Sequence, residues 1–111
     1  MARLTGIHPN VSAFLDMIAE SEGTHDLGDD GYNVLVGGKL FDSYSDHPRR
    51  VIVVNRRGLR SSAAGRYQIL QRTFDGLQRQ LGTKGFRPEV QDENKIETLR
   101  EAYLDSGGEL A

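Results

Sequence analysis

Within FLDMIAESEGTHD, residues 14–26, a glutamate stands where an apolar residue belongs. A helical wheel at about 100° per residue puts Val11, Phe14, Leu15 and Ile18 on one side, with Glu22 in the middle of it. Asp16 and Glu20 fall opposite, where solvated charges belong. Two readings follow. Gly23 can stop the helix and let the Glu22 side chain escape to water. Alternatively, the carboxyl is held against an apolar wall, where desolvation raises its pKa and keeps it protonated for general-acid work.

SSAAGRYQ, residues 61–68, is a second stretch with chemical potential. Small residues let the backbone approach a ligand closely. Gln68 offers a donor and an acceptor at the expected start of a helix, which suits the amides and hydroxyls of a sugar. The same stretch also reads as a loop capping that helix. His25 and His47 each adjoin an aspartate, but their spacing fits no zinc pattern and no thiolate accompanies them. DLGDDG, from Asp26, fails as a calcium loop because Gly28 occupies a ligand position and Gly37 stands where the bidentate glutamate is needed. VGG and AAGRY lack the Gly-Lys-Ser/Thr ending of a phosphate loop. Asp46, in SDHP, suits a turn cap better than chemistry.

The elements that position these residues follow from period and punctuation. Pro9-Asn10 opens a first helix running to about Ser21 or Glu22. YNVLVGGKLFDSY, residues 32–44, predicts a hairpin turning at Gly37-Gly38, and residues 51–54 predict a third strand. NRRGLRSSAAG reads as loop. Tyr67, Leu70, Phe74, Leu77 and Leu81 recur at helical spacing, and Gly82 ends that helix. Pro88 begins a third helix with Ile96, Leu99 and Tyr103 as its apolar stripe, stopped by Gly107-Gly108. Its first half, EVQDEN, is almost wholly polar and reads as exposed or packed against something outside this chain. Helix, small antiparallel sheet, helix, helix is an α+β domain. A groove between the sheet lobe and the helical lobe is expected to receive Glu22.

The chain has 111 residues, enough for one domain. It has no cysteine, which excludes disulfides and thiolate chemistry. No apolar stretch reaches membrane-spanning length, and the N-terminus is not a secretory signal. The net charge of −2 is unevenly placed: residues 49–66 hold six arginines and no acid, and residues 89–111 hold seven acids against Lys95 and Arg100. That asymmetry suits an anionic ligand or an internal ion-pair network. Nucleic-acid binding is disfavoured because no aromatics for base stacking are interleaved with the arginines.

FLDMIAESEGT, GYNVLVGGKLFDSYSDHP and SAAGRYQIL, in this order and spacing, resemble the matching blocks of lambdoid-phage endolysins, lytic transglycosylases with a lysozyme-like fold. The resemblance covers roughly residues 10–92. It implies that Glu22 is the catalytic acid, cleaving the bond between N-acetylmuramic acid and N-acetylglucosamine in peptidoglycan and leaving a 1,6-anhydro sugar. It further implies that Tyr32, Ser45, His47, Gly65, Arg66, Tyr67 and Gln68 bind the glycan, with no metal or cofactor. Synthesis in a host cytoplasm, release through a membrane pore and action at the cell wall are implied as well. The resemblance also has a gap: RPEVQD passes almost directly to ENKIETLREAYLDSGGELA, as if a block of the helical lobe were missing between about residues 92 and 94. Residues 1–111 are thus expected to form one domain with a reduced helical lobe. The unburied apolar surface then predicts a homodimer. The rival reading is an inactive or regulatory glycan-binding remnant.

Overall fold

The computed structural model describes residues 1–107. The elements in chain order are α1 (Pro9–Glu22), β1 (Ile52–Val53), β2 (Arg60–Ser61), α2 (Gln71–Leu81) and α3 (Pro88–Asp105). The α+β arrangement is the expected one. Ten residues form the central core, from Leu15 and Ala19 on α1 through Tyr32, Leu35, Phe41, Ala64, Tyr67 and Ile69 to Phe74 and Phe86.

α1 begins and ends where its punctuation dictates. Pro9 occupies the first turn, where its missing N–H costs nothing, and His8 Nδ1 accepts the Asn10 N–H. Gly23 adopts the left-handed conformation at φ 76°, and its N–H closes back on the helix. Half of the expected face is buried. Leu15 is enclosed and Ile18 packs against the core, whereas Val11 and Phe14 stay exposed and Ala19 is buried in their place. The helix is rotated toward Asp16 because the buried Arg66 guanidinium donates to Asp16 at 2.6 Å.

The 32–44 segment turns as expected but forms no paired strands. Gly37 and Gly38 take φ values of 88° and 97°. A bridge between Val34 and Leu40 and the Phe41 N–H to Asn33 bond hold the turn. The two-stranded sheet lies further on. β1 falls within the expected third strand and pairs antiparallel with β2, Ile52 opposite Ser61 and Val53 opposite Arg60. β2 sits in a stretch expected to be loop. The Asn55 side chain creates the pairing: its Oδ1 accepts the Arg57 and Leu59 N–H groups and shapes the turn between the strands.

α2 starts four residues later than its apolar period suggests, at Gln71 rather than Tyr67. Ala64 and Ile69 exchange both backbone bonds across a tight loop, and Gln68 has φ 53°. Gln68 is therefore not at a helix start. Leu77 and Phe74 bury the inner face of α2.

α3 overturns the reading of its polar half. Gln91, Asp92 and Asn94 are fully buried within this chain; beyond them Ile96 packs against the core and Leu99 is half-buried, whereas Tyr103 and Leu104 are exposed. Two of the polar residues, Gln91 and Asp92, replace a packed apolar face by hydrogen bonds, while neither polar atom of the Asn94 side chain has a partner among the described residues. Gln91 accepts the Arg66 N–H and donates to the carbonyls of Tyr32 and Phe86. Asp92 accepts the N–H groups of Arg3 and Leu4 through one oxygen and the hydroxyls of Tyr32 and Tyr67 through the other. The helix runs unbroken through residues 92–94. Gly107 follows its end at φ 87°, while Gly108 lies outside the described residues.

Candidate active site at the end of the first helix

Glu22 is the last residue of α1, and its side chain is exposed. No apolar wall of the helix encloses it, because the rotation toward Asp16 turns the Glu22 edge outward. A cleft of about 290 Å³ opens there, lined by Glu22, Gly23, Thr24, Leu27, Val34, Leu35, Gly37, Gly38 and Gln68. Glu22 is the one carboxylate among those residues.

Each wall has a local cause. The left-handed turn at Gly23 swings the chain away from α1 just after Glu22. Thr24 then locks the corner. Its N–H bonds the Ala19 carbonyl, and its buried hydroxyl reaches the carbonyls of Ala19 and Arg66. The opposite rim is the Gly37-Gly38 turn, whose lack of side chains leaves room for a bulky polymer beside backbone amides. Gln68 closes the floor. Its amide nitrogen donates to Gly65 O at 2.9 Å and Val34 O at 3.3 Å, which fixes the side chain in place.

Of the eight residues expected at the glycan, the structure brings Glu22 and Gln68 together. Ser45 lines a separate hollow of about 220 Å³ with Asp42, Asp46 and Arg50. Tyr32, Gly65, Arg66 and Tyr67 are buried and have a different task, so direct sugar contact by them is corrected by their burial. The Arg66 guanidinium lies 5.4 Å from the Tyr32 ring and 5.9 Å from the Tyr67 ring and bonds Asp16 and the Asp30 carbonyl. It thereby ties α1 to the 30–32 loop. Burial pushes both tyrosine hydroxyls upward, and the Asp92 carboxylate adds to it. Gly65 has φ 84°, and any Cβ there would collide with the Gln91 carbonyl oxygen.

His47 is 2% exposed and sits within 4.9 Å of the Phe86 ring and 5.5 Å of the Phe74 ring. Its Nδ1 accepts the Arg49 N–H, so Nε2 carries the proton and donates to Ile69 O at 2.8 Å. Its role is that of a neutral, doubly bonded core side chain. Burial pushes its pKa down. Above about pH 6.5, folded and unfolded chains both hold it neutral. As pH falls below that value the unfolded chain takes the proton first, so stability declines toward the folded-state pKa. Urea midpoints should therefore drop between pH 7 and pH 5 in the parent and stay flatter in His47→Gln. Parallel profiles would assign the acid sensitivity to other groups.

Asp46 bonds its neighbour's N–H and pairs with Arg49 at 2.7 Å, and that contact holds its carboxyl below the usual carboxylate range. It is the turn cap the sequence suggested. Among the described residues no group of three or more His, Cys, Asp or Glu could hold a metal ion. Two residues that shape the site carry no signal in their own type and spacing. Thr24 is one; Asp92, which pins the tyrosines under Arg66, is the other.

The family model for endolysins matches residues 12–107. The chain is 47% identical over 93 residues to the endolysin of Escherichia phage lambda, covering 80% of this chain and 58% of that one. It is 44% identical over 106 residues to the endolysin of Escherichia phage P2, covering 85% of this chain and 64% of that one. A solved lysozyme from bacteriophage lambda matches with a TM-score of 0.82 at 44% identity, over 88% of this chain and 66% of that one. The bacteriophage lambda lysozyme complexed with a chitohexasaccharide matches over the same shares with a TM-score of 0.83. The α+β fold is thus lysozyme-like, and the chain spans 58–66% of the length of these relatives. The matched stretch runs from the first turn of α1 past the end of α3 and takes in Glu22, the cleft rims and Asp92 with its two tyrosines; the chain belongs to the endolysin family.

Proposed function

We propose that this chain degrades peptidoglycan as a lytic transglycosylase, with Glu22 as its catalytic acid and base. The observation that carries the reading is the single carboxylate in the cleft. Glu22 gives its proton to the glycosidic oxygen as the bond from that oxygen to the muramic C1 breaks. The Glu22 carboxylate then takes the proton of the muramic 6-hydroxyl, whose oxygen bonds to C1. No water is consumed, so one carboxyl suffices. A hydrolase would place a second carboxylate at a fixed separation across the bond. The chitohexasaccharide in the related lambda lysozyme structure supports an oligosaccharide as the ligand. The glycine rim and Gln68 supply its surroundings here.

Digested peptidoglycan is expected to carry 1,6-anhydromuramic ends. Mass spectrometry separates these from hydrolysed ends by one water. Hydrolysed ends would show that a water is activated and would remove the transglycosylase step. Among the described residues no helix is long and apolar enough to cross a membrane. In the proposed setting the chain is made in a host cytoplasm and reaches the wall through a pore formed by another protein during host lysis.

A second reading concerns assembly. Val11 and Phe14 on α1, with Ile96 and Leu99 on α3, line an apolar hollow of about 370 Å³. Phe14 is 44% exposed and Tyr103 is 47% exposed, which favours a homodimer across these helices. Phe74 and Leu77 are already buried inside the chain, so the surface to be covered is smaller than the sequence suggests. Light scattering over a dilution series should show dimers giving way to monomers. A monomer at every concentration would eliminate self-association. Dimers that bind peptidoglycan without cleaving it would instead favour a non-catalytic glycan-binding remnant.

A further inference from the structure

The geometry points to Arg3 as a positioning residue for glycan binding: its guanidinium clamps the loop of residues 24–31, which forms one wall of the cleft beside Glu22. This rests on the proposal that the cleft holds the glycan. Thr24 and Leu27 bring the loop into the cleft lining. Its first end is pinned by the buried Thr24 hydroxyl. At its far end Arg66 holds the Asp30 carbonyl, and Arg3 holds both carboxylates. Arg3 Nη2 donates to Asp29 Oδ1 at 2.5 Å and Nη1 donates to Asp29 Oδ2 at 3.1 Å, a bidentate fork. Nη2 also donates to Asp30 Oδ2 at 3.0 Å. The Tyr44 hydroxyl donates to Asp29 Oδ2 at 2.6 Å, and with Arg3 it holds the Asp29 carboxyl below the usual carboxylate range.

Arg3 is itself anchored. Its backbone N–H and that of Leu4 donate to Asp92 at 2.8 Å, and its guanidinium lies 4.8 Å from the centroid of the Tyr32 ring. The clamp thus runs from α3 through residues 3 and 4 to the loop. Between Thr24 and Asp29, Leu27 stands 40% exposed at the cleft, and its carbonyl accepts the Gly31 N–H at 2.7 Å. Gly28 marks how closely the stretch is tucked in. A Cβ there would lie 2.3 Å from Asn33 Oδ1 and 2.7 Å from Leu40 Cδ2. With Asp29 unclamped, the loop can swing outward and take Leu27 with it. A wall that is in place for only part of the time lowers the apparent affinity by that fraction. The bonds to Asp92 come from the backbone, so Arg3→Gln removes the clamp and keeps its anchor.

The test titrates a chitin oligosaccharide into the whole chain at low and high salt, with the backbone amides as the readout and no turnover required. The oligosaccharide is uncharged, so a salt response that differs between parent and variant comes from the protein. At low salt Arg3→Gln should bind about five-fold more weakly than the parent. Arg3→Lys keeps the charge without the fork and should fall between them. At about 1 M salt, where the screening length shrinks to about 3 Å, the gap between parent and Arg3→Gln should close to about two-fold or less. Asp29→Asn should lose a similar amount, and the double variant should lose no more than either alone, because both break one contact. In the free protein, Arg3→Gln should speed exchange of the Leu27, Gly31 and Tyr32 amides and leave those of α1 as they are. Arg100→Gln, which removes an exposed arginine paired with Glu97 on α3, is the charge control and should bind like the parent. No binding by the parent would overturn the cleft reading, and the positioning role would fall with it. Binding by the parent with equal affinity in Arg3→Gln, an equal loss in Arg100→Gln, a gap that salt leaves unchanged, or faster exchange throughout α1 would overturn the positioning role alone.

Discussion

Glu22→Gln is expected to abolish peptidoglycan cleavage while leaving the fold intact. The amide keeps the shape of the side chain but can neither give a proton of suitable acidity nor take one from the 6-hydroxyl. Acid–base catalysis of this kind contributes roughly 10²- to 10⁴-fold in rate. In the proposed mechanism one residue serves both steps, so the loss should sit at the upper end. The fold should not notice, because Glu22 is exposed at a helix end and such substitutions usually stay within about 0.5 kcal/mol. Clearing of a peptidoglycan suspension gives the rate, and circular dichroism gives the folding control. Equal clearing by variant and parent removes Glu22 from the mechanism.

Asp92→Ala is expected to produce the largest loss of stability. Its carboxylate is fully buried and accepts four hydrogen bonds: Arg3 N–H and Leu4 N–H at 2.8 Å, Tyr32 at 2.8 Å and Tyr67 at 2.5 Å. Truncation leaves two phenol hydroxyls and two backbone donors without an acceptor. Each buried group left unsatisfied costs about 1–3 kcal/mol, and partial relaxation brings the sum to about 3–5 kcal/mol. Total stability is only about 5–15 kcal/mol, so a visible fraction of the chain should unfold. The N-terminal segment, held on α3 by these bonds, should lose amide protection first. Asp92→Asn keeps one acceptor oxygen and should lose less. A urea midpoint for Asp92→Ala within about 1 kcal/mol of the parent would mean that water or neighbouring groups replace the carboxylate.

The contrast between α1 and α3 shows how far residue patterns reach. Pro9 and Gly23 act through their own backbone geometry, so both ends of α1 are legible without knowing what packs on it. The buried side is a different matter. It depends on Arg66, far along the chain, recruiting Asp16, and no local period records that. α3 is the stronger case. A polar run at helical spacing looks solvated until Tyr32, Tyr67 and the Arg3-Leu4 backbone arrive to satisfy it. Tyr67 misleads in the same way: it keeps the period of α2 but lies before it, buried for the sake of Asp92. At the candidate site, the resemblance carries Glu22 and Gln68 into one cleft. Their residue types alone left Glu22 either enclosed or free, and the structure frees it. β2 was illegible because Arg60-Ser61 has little strand character, and its pairing comes from the Asn55 turn.

In the proposed mode of action, glycan lies in the cleft at the end of α1, against Glu22. A nuclear magnetic resonance titration of the backbone amides with a chitin oligosaccharide tests it without requiring turnover. Progressive shifts are expected for Glu22, Thr24, Leu35, Gly37, Gly38 and Gln68, with the amides around Ser45 shifting less. Shifts centred on the Asp42–Arg50 hollow, or none at saturating oligosaccharide, would contradict it.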